Sequence, residues 1–225
     1  MRAVLVTGAT RGLGASVATR LAADGYSVVR CDRSQGDVVF DVRDPAGWQR
    51  AATALEAAGE PWGLVNCAAM TVVRELFEIE AEEWDEVLAV NLRGPLHGIQ
   101  AVGPLLQARA GGRIVNVSSD SAFKGKGVTG AHYAASKAGL IALTRRAAAA
   151  LAASGVTVNA VAPGTIDGET VRDLAGDRLG DLAAEVPLQR LARPEEIAAT
   201  VAWLVSDDAS YVTGSTLLVD GGVSL

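Results

Sequence analysis

Tyr133 and Lys137 are four residues apart at the start of a long Ala-rich stretch, Tyr133-Ala134-Ala135-Ser136-Lys137. On a helix that spacing places both side chains on one face. A free phenol has a pKa near 10 and is a poor base at neutral pH, but an adjacent ammonium stabilises the phenolate and lowers that value. The pair could therefore exchange a proton with an oxygen of a bound molecule. An isolated Tyr-x-x-x-Lys pair reads first as a packed tyrosine beside a solvated lysine. The preceding segment favours the chemical reading: Ile114-Val115-Asn116-Val117-Ser118-Ser119 is an apolar strand ending in hydroxyls, and open α/β sheets bind ligands at the carboxyl ends of their strands.

A second constellation lies near the amino terminus. Thr7-Gly8-Ala9-Thr10-Arg11-Gly12-Leu13-Gly14 follows an apolar strand and opens a helix. Glycines at 8, 12 and 14 permit a tight turn, close approach of backbone to a pyrophosphate and close packing of helix on strand. The helix amino terminus offers unpaired N–H groups and a dipole to the phosphates. Asp32, at the end of the second strand, lies near the ~20-residue offset at which a carboxylate accepts from the adenosine ribose hydroxyls. A carboxylate there repels a 2′-phosphate, so NAD is expected over NADP, although Arg11 and Arg33 could each reach such a phosphate.

These elements must be positioned by a sheet. Short β-branched runs, Ala3–Thr7, Ser27–Cys31, Val38–Phe40, Gly63–Asn66, Arg113–Ser118, Val156–Val161 and Thr216–Val219, alternate with helical stretches at Leu13–Asp24, Ala81–Asn91, Gly94–Ala108, Tyr133–Ala153 and Pro194–Ser206. Alternation of this kind predicts an α/β fold with a parallel, doubly wound sheet of about seven strands. Only Arg33 to Asp37 separate the second and third strands, where a parallel crossover normally takes about a dozen residues. The helix usual at that point is expected to be missing and the third strand short.

Composition narrows the function. The 225 residues are 49% hydrophobic and 20% charged, consistent with a single well-buried domain over 1–225. A net charge of −6 without a Lys/Arg cluster argues against a nucleic-acid partner. No apolar stretch approaches the ~18 residues of a membrane span, and no signal peptide is read. Cys31 and Cys67 lack ligand spacing relative to each other or to His97 and His132, so no metal site is expected, and a reduced, cytoplasmic chain is the natural reading.

Taken in order, Thr7-Gly8-x-x-x-Gly12-x-Gly14, Asp41-Val42, Asn66-Cys67-Ala68-Ala69, Asn91, Ser119, Tyr133-x-x-x-Lys137, Pro163-Gly164 and Tyr211-x-Thr213-Gly214 leading to Val219-Asp220-Gly221-Gly222 resemble the single-domain branch of the short-chain dehydrogenases/reductases, from Val4 to Gly222. The resemblance implies a Rossmann-like fold and a hydride transfer between NAD(P) and a secondary alcohol or ketone, with the 3-oxoacyl reductase type among the activities it suggests. It implies Tyr133 as the acid/base and Lys137 as the group that holds the nicotinamide ribose and lowers the tyrosine pKa. Ser119 would orient the substrate oxygen, and Asn91 would position a water relaying protons from Lys137. Asp41 and Val42 would contact adenine, Asn66 and Ala68 would flank the adenosine, and Pro163, Gly164, Thr165 and Ile166 would meet the nicotinamide. Thr10, Arg11 and Leu13 complete the phosphate loop. The family also implies a dimer or tetramer, with contacts through Tyr211–Leu225.

Three departures stand out. The loop from Ser119 to Tyr133 is one residue longer than the family's usual pattern, which puts Asp120 at the commonest serine offset. Asn66-Cys67-Ala68-Ala69 lacks a final glycine, which could crowd the cofactor. The trimmed adenosine side resembles dihydrodiol-type dehydrogenases. Residues 165–186, with Gly168, Gly176 and Gly180, are expected to form a mobile substrate lid. His132 is expected to touch substrate or face solvent, Lys124 and Lys126 to be solvated, and Cys67 to be an ordinary buried thiol. A non-catalytic dinucleotide-binding sensor or scaffold is the competing reading, disfavoured by the intact Asn91, Ser119, Tyr133 and Lys137. An epimerase or dehydratase of the extended branch is disfavoured by chain length and glycine spacing.

Overall fold

In the first strand, Arg2-Ala3-Val4-Leu5-Val6-Thr7, five consecutive residues are buried, so neither face of the sheet meets water there. Side chains alternate across a strand. Val4 and Val6 pack with Val17, Leu21, Ile197 and Val201, while Ala3 and Leu5 pack with Trp48, Leu55, Leu106 and Leu151. Two apolar cores thus lie on opposite faces of one sheet. The computed structural model describes residues 1–125, 129–175 and 179–225.

Among these residues, seven parallel strands are joined in the order β3-β2-β1-β4-β5-β6-β7. They are β1 (Arg2–Thr7), β2 (Ser27–Asp32), β3 (Val38–Val39), β4 (Glu60–Asn66), β5 (Gly112–Val117), β6 (Val156–Pro163) and β7 (Thr216–Val219). Helices α1 (Gly12–Ala23) and α8 (Pro194–Val205) cover one face; α2 (Pro45–Ala58), α4 (Gly94–Ala108) and α5 (Ala131–Leu151) cover the other. The order reverses between β1 and β4, and the loops leaving those strands diverge there to form the crevice in which doubly wound sheets bind ligands.

The short crossover after β2 is real, and its geometry explains how five residues suffice. β3 pairs only Val38 with Cys31 and Val39 with Asp32, so the chain need retreat no further than the end of β2. The Asp37 N–H donates to the Arg30 carbonyl at 2.8 Å, and the Asp37 carboxylate accepts from the Arg30 N–H at 2.8 Å. Gly36 has φ +122° with its Cα packed against that carbonyl: a Cβ would lie 2.7 Å from it.

Three elements differ from expectation. Helix α2 lies where no helix was read, and its Asp44 N-cap accepts from the N–H groups of Ala46 and Gly47. The helix read as Ala81–Asn91 is α3 (Ala81–Leu88), followed by a π-turn at Ala89–Arg93 that runs into α4. The segment read as a lid contains α6 (Glu169–Ala175) and α7 (Leu179–Ala184), and Gly176 lies outside the described residues. Among the described residues no helix is long and apolar enough to cross a membrane.

Candidate active site

The glycine turn is locked by contacts that no other residue allows. Gly8 (φ +65°) packs so closely on the loop after β4 that a Cβ would sit 2.9 Å from Ala68 Cα, and a Cβ on Gly14 would sit 2.0 Å from the Gly8 carbonyl oxygen. The Thr7 hydroxyl oxygen accepts from the N–H groups of Cys67 and Ala68, both at 3.1 Å, and so ties the loops after β1 and β4 together. Helix α1 then begins with no side-chain cap and no acidic residue in its first turn. Its orphan N–H groups are left to a ligand.

Asp32 borders this turn. Thr10 donates to its Oδ2 at 2.8 Å, and the Ser34 N–H and hydroxyl donate to Oδ1 at 3.2 and 3.1 Å. Partial burial raises the Asp32 carboxyl, but the bonds from Thr10 and Ser34 outweigh it and hold the group below its ordinary value. It stands ionised at neutral pH. Arg11 and Arg33 are exposed and have no ion-pair partner among the described residues.

Two residues expected at the adenosine are otherwise committed. Asn66 is 3% exposed, and its amide donates to Asn116 Oδ1 at 2.8 Å, with Asn116 donating in turn to Thr144 at 2.9 Å. Its amide nitrogen clamps β4 to β5 and, through Asn116, to α5, while its Oδ1 is buried against Gly98 without a hydrogen-bond partner. The Asp41 carboxylate is gripped by Arg43 through Nε at 2.9 Å and Nη2 at 2.7 Å. The Val42 carbonyl accepts from Trp48 Nε1 at 2.9 Å, and the Val42 side chain rests on Gly94. Across the crevice, Gly164 N–H donates to the Val219 carbonyl, and Thr165 and Ile166 pair with Ala192, which fixes the strand end that begins at Pro163.

Ser119, Tyr133, Lys137 and Asn91 converge at the carboxyl ends of β4 and β5. Burial raises the Tyr133 phenol above its ordinary value, while hydrogen bonds with the hydroxyls of Ser119 and Thr71 oppose the rise and the Asp120 charge adds to it. Burial, rather than Lys137, sets the direction of this shift. The Lys137 ammonium lies 5.6 Å from the phenol ring centre and donates to the Val117 carbonyl at 2.8 Å. Burial brings it down to about 8, and the phenol stays protonated at neutral pH. Asn91 lies in the π-turn, fully buried. Its side chain accepts from the Met70 N–H and donates to the Met70 carbonyl, both at 2.8 Å, and donates to Ser136 at 3.1 Å.

The extra residue in the loop carries Asp120 into this cluster. Ser119 Oγ donates to Asp120 Oδ1 at 3.2 Å and accepts from the Ser121 N–H at 3.1 Å, and the Lys124 ammonium pairs with Asp120. Lys124 is thus bound rather than solvated, while Lys126 lies outside the described residues. Thr71 was missed in the sequence because it belongs to no spacing pattern, and the contacts of Thr7 and Ser136, both inside quoted motifs, were not legible because their partners are distant in the chain. His132 does not meet solvent: it is 0% exposed, and its ring contacts the Tyr133 N–H and Glu83. Burial pushes the Cys67 thiol up to about 11 and Cys31 up to about 12, so neither is poised as a nucleophile.

A family model described as enoyl-(acyl carrier protein) reductase matches residues 8–224. The short-chain reductase protein NovJ of Streptomyces niveus is 40% identical over 97% of this chain and 92% of its own. The chain belongs to the short-chain dehydrogenase/reductase family. Similarity extends to the 3-oxoacyl-[acyl-carrier-protein] reductase FabG of Escherichia coli strain K12, 37% identical over 97% of this chain and 96% of that one. The 3-oxoacyl-[acyl-carrier-protein] reductase MabA of Mycobacterium tuberculosis strain H37Rv is 38% identical over 100% and 93%. As a short-chain dehydrogenase/reductase, the protein is a hydride-transferring oxidoreductase that uses a nicotinamide dinucleotide. The turn fits such a group: α1 opens uncapped, a Cβ at Gly12 would meet nothing within 4 Å, and an ionised carboxylate waits at the end of β2.

Proposed function

We propose that the protein reduces the ketone of a small 3-oxoacyl-type substrate, with Tyr133 as the proton donor. The observation that carries this reading is a half-buried phenol, held protonated at neutral pH, beside the Ser119 hydroxyl at the carboxyl edge of the sheet. The nicotinamide supplies the hydride that forms the new C–H bond. Tyr133 Oη gives its proton to the carbonyl oxygen, and Ser119 Oγ holds that oxygen as negative charge develops on it, which favours the transition state over the ground state. Lys137 holds the nicotinamide ribose and returns a proton to Tyr133, with Asn91 fixing the loop at Met70 beside them. Pairing two hydroxyls on one oxygen suits a ketone better than a carbon–carbon double bond, whose reduction ends with a proton on carbon.

Asp32 supports NAD over NADP, because an ionised carboxylate held by Thr10 and Ser34 repels a 2′-phosphate. Gly8, Thr10, Arg11, Gly12, Leu13 and Gly14 hold the phosphates, the backbone of Asn66 and Ala68 with Asp41 and Val42 bounds the adenosine, and Pro163 to Ile166 bounds the nicotinamide. Helices α6 and α7, from the segment read as a lid, cover the substrate. The protein works in the cytoplasm as a dimer or tetramer, using the exposed Tyr211 and Leu218 of the carboxyl-terminal segment; light scattering at only 23.1 kDa would remove this last point.

The test follows nicotinamide absorbance with a short 3-oxoacyl thioester and with the matching enoyl thioester, each with NADH and NADPH. Oxidation of NADH by the 3-oxo compound alone is expected. Turnover of the enoyl compound alone would overturn the ketone assignment, and a strong preference for NADPH would overturn the role of Asp32.

A further inference from the structure

Tyr133 is the third residue of α5, where an N–H has no partner four residues back in the helix. The residue before the helix, Gly130, has no side chain to cap it. The Tyr133 N–H is shared between the Gly130 carbonyl at 3.1 Å and a shorter bond from within the first turn: His132 Nδ1 accepts from it at 2.9 Å. An acceptor at Nδ1 requires the ring's proton to sit on Nε2, which is 3.1 Å from Glu83 Oε1 on α3. Glu83 is in turn paired with Arg74 through Nε at 3.2 Å and Nη2 at 2.9 Å. The Arg74 guanidinium holds the Glu83 carboxyl below its ordinary value, so it remains an acceptor through neutral pH.

Space has been made for this ring. A Cβ at Gly130 would stand 2.3 Å from His132 Cε1 and 2.7 Å from Nδ1, and the Gly130 N–H donates to the Val72 carbonyl at 2.9 Å. Arg74 and Val72 belong to the same loop as Thr71, whose hydroxyl is near enough to the Tyr133 phenol to oppose the rise in its pKa. One connected set of contacts therefore fixes the backbone of Tyr133 from one side and the partner of its hydroxyl from the other.

We infer that His132 is a positioning residue for the reaction: its ring, oriented by Glu83 and Arg74, holds the Tyr133 N–H and so sets where the phenol stands. This rests on the reading of Tyr133 as proton donor. Helix ends fray, and a displacement of about 1 Å at a reacting group costs on the order of a hundredfold in rate. An acceptor on the adjoining residue suppresses that freedom where it matters most.

The test uses steady-state kinetics of the full chain with a short 3-oxoacyl thioester. His132→Leu removes the acceptor and should lower kcat by about tenfold to a hundredfold while leaving KM for the nicotinamide cofactor unchanged. His132→Asn keeps an acceptor at the Nδ1 position and should recover most of kcat. Native kcat in His132→Leu, or equal loss in both variants, would overturn the inference. If His132→Leu does not fold, Glu83→Leu decides: it changes a partly exposed side chain and should lower kcat severalfold at an unchanged melting temperature, whereas native kcat would overturn the inference. Tyr133→Phe separates the two ideas. Loss of turnover in Tyr133→Phe beside native rates in the His132 and Glu83 variants rejects positioning alone, and native rates in Tyr133→Phe reject the proton-donor reading itself.

Discussion

Lys137 shows what the site costs the fold. It is 2% exposed, and burial brings its ammonium from an ordinary 10.5 down to about 8. A buried lysine is retained at a stability penalty where function needs its charge. The sign of the pH effect follows. The folded chain gives up this proton near pH 8 and the unfolded chain near 10.5, so between them the unfolded chain binds more protons and stability rises with pH. Lys137→Met removes that contribution. The difference in unfolding free energy between native protein and variant should therefore shift in favour of the native protein by on the order of 3 kcal/mol across this window. Denaturant titrations at several pH values measure it, and a constant difference would mean the ammonium is solvated. At the same scale, the spacing of Tyr133 and Lys137 was legible because four residues on a helix dictate a shared face. The direction of the tyrosine's pKa was not, because it depends on burial and on Thr71, Ser119 and Asp120, which the fold alone brings together.

Among the elements, α2 is the instructive omission. Asp44-Pro45 combines an N-cap with a proline at the first helical position, and Trp48, Ala51, Ala52 and Leu55 are buried at helical spacing. The signal was present, but Ala and Gly dilute the apolar stripe. Asp44→Ala should cost about 1 kcal/mol, read as a lower denaturation midpoint with an unchanged slope; no change would mean that Pro45 and packing on Phe40 suffice to start the helix. The π-turn at Ala89–Arg93 could not be read, since its extra residue per turn is set by where Asn91 must point, towards Met70 and Ser136, and not by local propensity. The shortened β2 to β3 connection was legible by counting residues. How it closes depends on the left-handed Gly36 and the Arg30–Asp37 bonds, which counting does not reveal.

At the scale of the molecule, the seven-strand order and the two apolar cores follow from near-continuous apolar runs alternating with helices, and these were readable because parallel strands are buried on both faces. The same architecture sends β1, β4 and β5 to a common edge, so a glycine turn, a strand-end serine and a helical Tyr-Lys pair meet although 126 positions separate Thr7 from Tyr133 in the numbering. The fold thereby converts residues scattered through the chain into one proton-donating centre beside a dinucleotide crevice. The most direct measurement of that claim is single-turnover reduction of a short 3-oxoacyl thioester by the native protein and by Tyr133→Phe, with cofactor affinity measured alongside by fluorescence. The account predicts a rate lower by about 10²- to 10⁴-fold at an unchanged cofactor affinity. A near-native rate in Tyr133→Phe would contradict it.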